Sequence, residues 1–122
     1  MTLARADRVK SIRSVMENKL RYIQISTTVT KKSDAEKIAK VLSEKKLSAC
    51  AQIIGPITSV YRWKGRLEKS KEWLCVAKTS QRHYASVEEA IKKVHPYQLP
   101  EIIATPIIKG SREYFGWMRK QV

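Results

Sequence analysis

The strongest constraint on this chain is a hydrophobic period that switches back and forth between strand and helix. "YIQISTTV" at residues 22–29 is rich in β-branched residues and starts out alternating, which predicts a strand. In "SDAEKIAKVLSEKKL", Ala35, Ile38, Ala39 and Leu42 fall at i, i+3, i+4 and i+7, a helical stripe, with Ser33 and Glu36 spaced as a capping box. "SACAQII" at 48–54 predicts a second strand, closed by Gly55-Pro56. Two β-prone runs then flank Lys64-Gly65, a hairpin signal. In the return run Trp73, Cys75 and Ala77 share one face, and Leu74 and Val76 the other, with Lys78 near the strand end. Ser80 opens a second helix with Val87, Ala90, Ile91 and Val94 on one side, and Pro96 stops it at His95. "EIIATPIIK" is a strand whose Pro106 calls for an edge or a bulge. Gly110-Ser111 leads into a short terminal helix carrying Tyr114, Phe115, Trp117 and Met118.

The order strand, helix, strand, strand, helix, strand restricts the topology. Two βαβ units take right-handed crossovers and, joined by a hairpin, form an antiparallel sheet with both helices on one face. The expected fold is therefore α+β, a ferredoxin-like βαββαβ sandwich with a C-terminal helix added. "ACAQII" and "IIATPII" are nearly continuous apolar runs, as in strands buried on both faces. The face without helices is therefore expected to be covered by another copy of the chain. Tyr61, Trp63 and Trp73 flank the hairpin, and aromatics so placed suit packing against a partner.

A length of 122 residues fits one domain. Residues 1–20 read separately, as a basic amphipathic helix with Leu3, Ala6, Val9, Met16 and Leu20 three to four apart, and residues 21–122 form the domain. Asp7 and Glu17 argue against a transit peptide there, and a secretory signal's continuous apolar core is missing. No apolar run approaches the ~20 residues of a membrane span. The formal charge of +14 attracts phosphates and other anions, or reflects a heavily solvated lysine surface tuned for heat. Its lysines and arginines are scattered, with no interleaved aromatic motif for stacking bases, so no specific nucleic-acid partner is expected. Cys50 and Cys75 are not in C-x-x-C spacing and sit in apolar runs, which predicts reduced, buried thiols and a cytoplasmic setting.

Chemistry concentrates in "HPYQLPEII" at 95–103, where Pro96 and Pro100 stiffen the chain around His95, Tyr97 and Glu101. His95 at a helix C-terminus can bind a metal or move a proton near neutral pH, or it can cap the last carbonyls. Glu101 can complete a His/Glu pair for a divalent cation, or pair with a lysine. Tyr97 can donate to either, while His83 is expected to face solvent. The chain lacks a glycine-rich phosphate loop, G-x-S-x-G and H-E-x-x-H, so no enzymatic activity is expected.

These residues also form a recognisable set. "SVYRWKGRLEKSKEW", "AKTS", "HPYQLPEIIATPI" and "YFGW", from about Tyr22 to Gln121, resemble the divalent-cation-tolerance family, CutA. The resemblance implies a homotrimer of ferredoxin-like subunits related in fold to PII-like regulators, with a long hairpin reaching a neighbour. It implies no enzymatic activity, a role in the response to metal ions, and binding of Cu(II) or another divalent cation through His95 and Glu101. It places Tyr61, Trp63, Glu72, Lys78 and Tyr97 along a cleft between subunits. By analogy with PII-like proteins that cleft takes a small ligand, and Lys78 is the counter-charge for an anionic one. The chain departs from some bacterial members, which carry a cysteine where Ser26 stands and a histidine where Val94 stands. That departure puts thiolate-based copper selectivity in question.

Overall fold

A computed structural model describes residues 21–122. The helix expected over residues 1–20 lies outside the described residues. The strands are β1 (Tyr22–Val29), β2 (Cys50–Trp63), β3 (Arg66–Ser80) and β4 (Ile103–Ile107). The helices are α1 (Lys32–Glu44), α2 (Tyr84–Val94) and α3 (Arg112–Gln121). The strands form one sheet in the order β2-β3-β1-β4, antiparallel throughout. β4 is an edge, which accommodates Pro106.

Both α1 and α2 cover one face. Ile23, Ile25 and Val29 of β1 and Cys75 and Ala77 of β3 meet Ala35, Ile38 and Leu42 of α1 and Val87, Ala90 and Ile91 of α2, each no more than 5% exposed. Trp73 packs against the same cluster, so it faces away from Tyr61 and Trp63, and the three aromatics do not share a surface. The opposite face carries α3 at one end. There Phe115 stacks on Tyr22 with ring centroids 4.8 Å apart, and the Tyr114 hydroxyl lies 3.9 Å from the Cys50 sulfur. Ser111 caps this helix by accepting from the Tyr114 N–H at 3.1 Å. Cys75 is buried in the core, Cys50 is half-buried on the other face, and both thiols are free.

Several local expectations change. Gly55-Pro56 does not end the second strand: β2 runs on to Trp63, with an irregularity between Ile54 and Ile57. Ile54 pairs with Leu74 and Ile57 with Glu72, so β2 spends one more residue than β3 over that interval. A one-residue bulge inverts which side chains face which way. Gln52 and Ile54 lie on the face without α1 and α2, and beyond the bulge the odd-numbered Ser59, Tyr61 and Trp63 take it over. A Cβ on Gly55 would stand 2.7 Å from Trp73 Cε3, so this residue must be glycine for the bulge to lie against that ring. The hairpin tip is the expected two-residue turn, with positive φ at Lys64 (51°) and Gly65 (78°).

The Ser33–Glu36 capping box does not form. α1 starts after Lys31, which has no side-chain cap, and Ser33 falls inside the first turn. A 3-10 turn, Gln81–His83, comes between Ser80 and α2, and it leaves His83 half-buried instead of facing solvent. The last strand is shorter than its apolar run, because Pro100, Glu101 and Ile102 belong to the connection that enters it.

Candidate functional site

The connection from α2 to β4 folds over the end of β1 and the middle of β3. His95 terminates α2 in an extended conformation, its N–H still donating to the Ile91 carbonyl at 2.9 Å. Its ring is held from both sides. The Tyr97 N–H donates to Nδ1 at 3.1 Å, so Nε2 carries the proton and donates to the Thr28 carbonyl at 3.0 Å. The two rings meet edge-on with centroids 4.8 Å apart. Burial pulls the His95 pKa below its usual value; the Thr28 carbonyl and the carboxylates of Asp34 and Glu72 pull the other way. A neutral imidazole with both nitrogens bonded fixes the turn, and it offers a metal no free lone pair.

Tyr97 carries the turn's hold onto β3. Its hydroxyl donates to Glu72 Oε2 at 2.8 Å, and the Thr30 hydroxyl donates to it at 2.6 Å. Burial pushes the phenol up to about 12, the Thr30 bond works against the rise, and the Glu72 carboxylate adds to it. Tyr97 therefore remains a donor throughout the physiological range. Glu72 is only 6% exposed, and among the described residues it has no cationic partner. The ion pairs present are Lys40–Glu44, Lys92–Glu88 and Lys93–Glu89, one turn apart on the helix surfaces.

Glu72 and Tyr97 form the back of an open cavity of about 670 Å³, whose mouth is lined by Tyr61, Trp63, Leu99 and Glu101. Thr28, Thr30, Ser59 and Ser70 add hydroxyls, and the Tyr61 hydroxyl lies 3.4 Å from that of Ser70. Among the described residues no lysine or arginine lines the cavity, although the whole chain has 25 of them. The bulge is what makes this arrangement possible, because without it Tyr61 and Trp63 would face away from Glu72.

Tyr61, Trp63, Glu72, Tyr97 and Glu101 thus meet around one cavity, while two other expected site residues take different positions. His95 stands behind Tyr97 and does not line it. Lys78 lies elsewhere on the face, donating to Gln52 Oε1 at 2.9 Å, its ammonium 5.7 Å from the Tyr114 ring centre. Thr28, Thr30, Ser59 and Ser70 were not foreseen, since threonine and serine in a strand carry no signal beyond β-propensity and polarity. Among the described residues no three His, Cys, Asp or Glu side chains converge as a metal centre would require. The soft donors are dispersed, with Cys75 in the core and Cys50 beside α3, so a copper site of thiolate and imidazole does not fit. The cavity's oxygen donors suit hard cations better.

Comparison with known proteins identifies the family of the chain. The profile of the CutA1 divalent ion tolerance protein family matches residues 23–121. The divalent-cation tolerance protein CutA of Thermus thermophilus is 42% identical over 93 residues, 76% of this chain and 90% of that protein. Human protein CutA is 38% identical over 86 residues, 70% of this chain but 48% of its own length. The structure of the periplasmic divalent cation tolerance protein CutA from Archaeoglobus fulgidus superposes with a TM-score of 0.79 at 37% identity, covering 82% of this chain and 97% of that one. The family match over residues 23–121, with 42% identity to the Thermus protein, makes this chain a member of the CutA1 divalent ion tolerance family.

Proposed function

We propose that this chain acts as a non-enzymatic, ferredoxin-like homotrimer that binds divalent cations weakly and contributes to the cell's response to metal ions. The observation that carries the reading is the inverted charge of the cavity. In a chain of formal charge +14, the cavity is lined by two carboxylates, Glu72 and Glu101, and by no basic side chain among the described residues. Such a site concentrates cations and repels anions. A small anionic ligand with Lys78 as its counter-charge is correspondingly disfavoured, since Lys78 is engaged with Gln52 away from the cavity. The proposed ligand set moves from His95 toward Glu72 and Glu101. His95 joins it only when its ring leaves Thr28 and Tyr97.

The trimer is supported by the apolar side chains left on the sheet's second face. Ile54 and Ile103 are each 52% exposed there, beside the partly exposed Leu74 and Val76. Free Cys50 and Cys75 on opposite faces suit a reducing, cytoplasmic compartment. No helix among the described residues is long and apolar enough to cross a membrane.

Calorimetric titration of Mn(II), Mg(II) and Cu(II), after light scattering has fixed the mass, tests the reading. Saturable binding weakened by Glu72→Gln and by Glu101→Gln is the expected result. Metal binding unaffected by both substitutions, or absent altogether from an intact trimer, would sink it.

A further inference from the structure

The cavity's walls are more specific than a hydrated metal ion needs. A hydrated divalent ion keeps most of its waters and needs only one or two carboxylates. Here the two carboxylates differ, with Glu72 at the buried back and Glu101 exposed at the rim. The same cavity is lined by Tyr61, Trp63, Tyr97 and Leu99. Aromatic faces attract cations that carry their charge on an apolar body. The buried carboxylate is only half satisfied. Oε2 accepts from Tyr97, and no other hydrogen bond reaches Glu72 among the described residues. Its other oxygen, Oε1, opens onto the cavity. The volume of about 670 Å³ is within the range of small-molecule sites and large for a bare ion.

We propose that the cavity binds a short aliphatic diamine, one ammonium donating to Glu72, the methylene chain lying along Tyr61 and Trp63, and the second ammonium meeting Glu101 at the rim. The ligand is recognised by two charges at the ends of an apolar rod, which suits a cavity that combines a buried carboxylate, an exposed carboxylate and aromatic side chains. Tyr97 positions Glu72 for this contact, because its bond to Oε2 leaves Oε1 for the incoming N–H. This inference rests on the reading of the cavity as a cation site and names a ligand class for it.

The test is titration of the full-length chain with butane-1,4-diamine at constant ionic strength, followed by calorimetry and tryptophan fluorescence. Butan-1-ol serves as the neutral analogue and Mn(II) as the metal arm. Saturable diamine binding at one site per chain is expected, with no binding of the alcohol. Glu72→Gln should weaken it about tenfold or more, the scale of losing one charge-assisted hydrogen bond. Trp63→Ala removes a half-exposed side chain outside the core and should weaken it about threefold, the scale of an exposed cation–π contact. That second variant keeps the proposal falsifiable even where Glu72→Gln fails to fold. No diamine binding, equal binding of the alcohol, or affinity unchanged in a folded variant would overturn the proposal. Mn(II) binding without diamine binding removes the diamine and leaves the metal reading standing. Diamine binding without Mn(II) does the reverse. Loss of both ligands removes both.

Discussion

The two faces of this sheet contrast sharply although they share one backbone. Toward α1 and α2, β1 and β3 present Ile23, Ile25, Val29, Cys75 and Ala77, closed off from water. On the other side the same strands present Thr28, Glu72, Leu74 and Val76, with Ile54 and Ile103 half exposed. The first face is complete within one chain and holds the fold together. The second holds a buried carboxylate, a cavity and unpartnered apolar side chains, features that make sense once something else binds there. The closed core and the open cavity lie on opposite sides of a layer one residue thick.

Isoleucine truncation on each side breaks this contrast most directly. Ile25→Ala should cost about 2–5 kcal/mol in urea unfolding, the range for emptying a well-packed core site. Ile54→Ala should change the subunit's own stability by about 0.5 kcal/mol or less. Its expected effect is on assembly, read as a fall in mass by light scattering at low protein concentration. Equal losses of subunit stability from the two substitutions would erase the distinction between the faces.

Gly55→Ala probes the point where β2 exchanges its faces. The new methyl group meets the Trp73 ring at 2.7 Å, and the ring is flanked by the core. Overpacking of this kind costs about 1–3 kcal/mol. A changed Trp73 emission and a weakened cavity should accompany the loss, because Tyr61 and Trp63 depend on the bulge for their direction. Retention of wild-type stability and ligand binding would show that the bulge tolerates a side chain.

A hydrogen bond on the second face should be felt somewhat less. Tyr97→Phe leaves the Glu72 carboxylate without its donor and should cost about 1–3 kcal/mol in denaturant unfolding. The variant should also lose cation affinity, since Glu72 is then free to turn. The double variant Tyr97→Phe with Glu72→Gln should recover part of the stability, because the orphaned charge is gone.

The smallest effect expected is that of pH on His95. Its pKa in the folded chain lies below the ordinary 6.5, so the fold favours the neutral ring. Its contribution is fully present above about 6.5 and is lost as the pH falls through the lowered value. Protonation takes the Nδ1 lone pair that accepts from the Tyr97 N–H. Stability measured by urea at stepwise lower pH should therefore decline more in the wild type than in His95→Gln, and identical slopes would count against the role given to this ring.

Much of this protein was legible in its residues taken in order. The period of the apolar side chains announces each strand and helix, and Lys64-Gly65 marks the hairpin tip. Pro96 marks the end of α2, and the H-P-Y-x-x-P-E run locates the turn over the site. These are local signals, carried by propensity and by the geometry of proline and glycine, and they need no distant partner. What only the tertiary structure decided is which way the side chains of the long hairpin face and whom they meet. Because alternate residues of a strand face opposite sides, one extra residue near Gly55-Pro56 reverses every later position. That reversal puts Tyr61 and Trp63 on the side of Glu72, while Thr30 and Tyr97, 67 positions apart, close around its carboxylate. The tertiary structure also brings the Thr28 carbonyl, 67 positions earlier, to His95 Nε2, so that this ring holds Tyr97 through Nδ1.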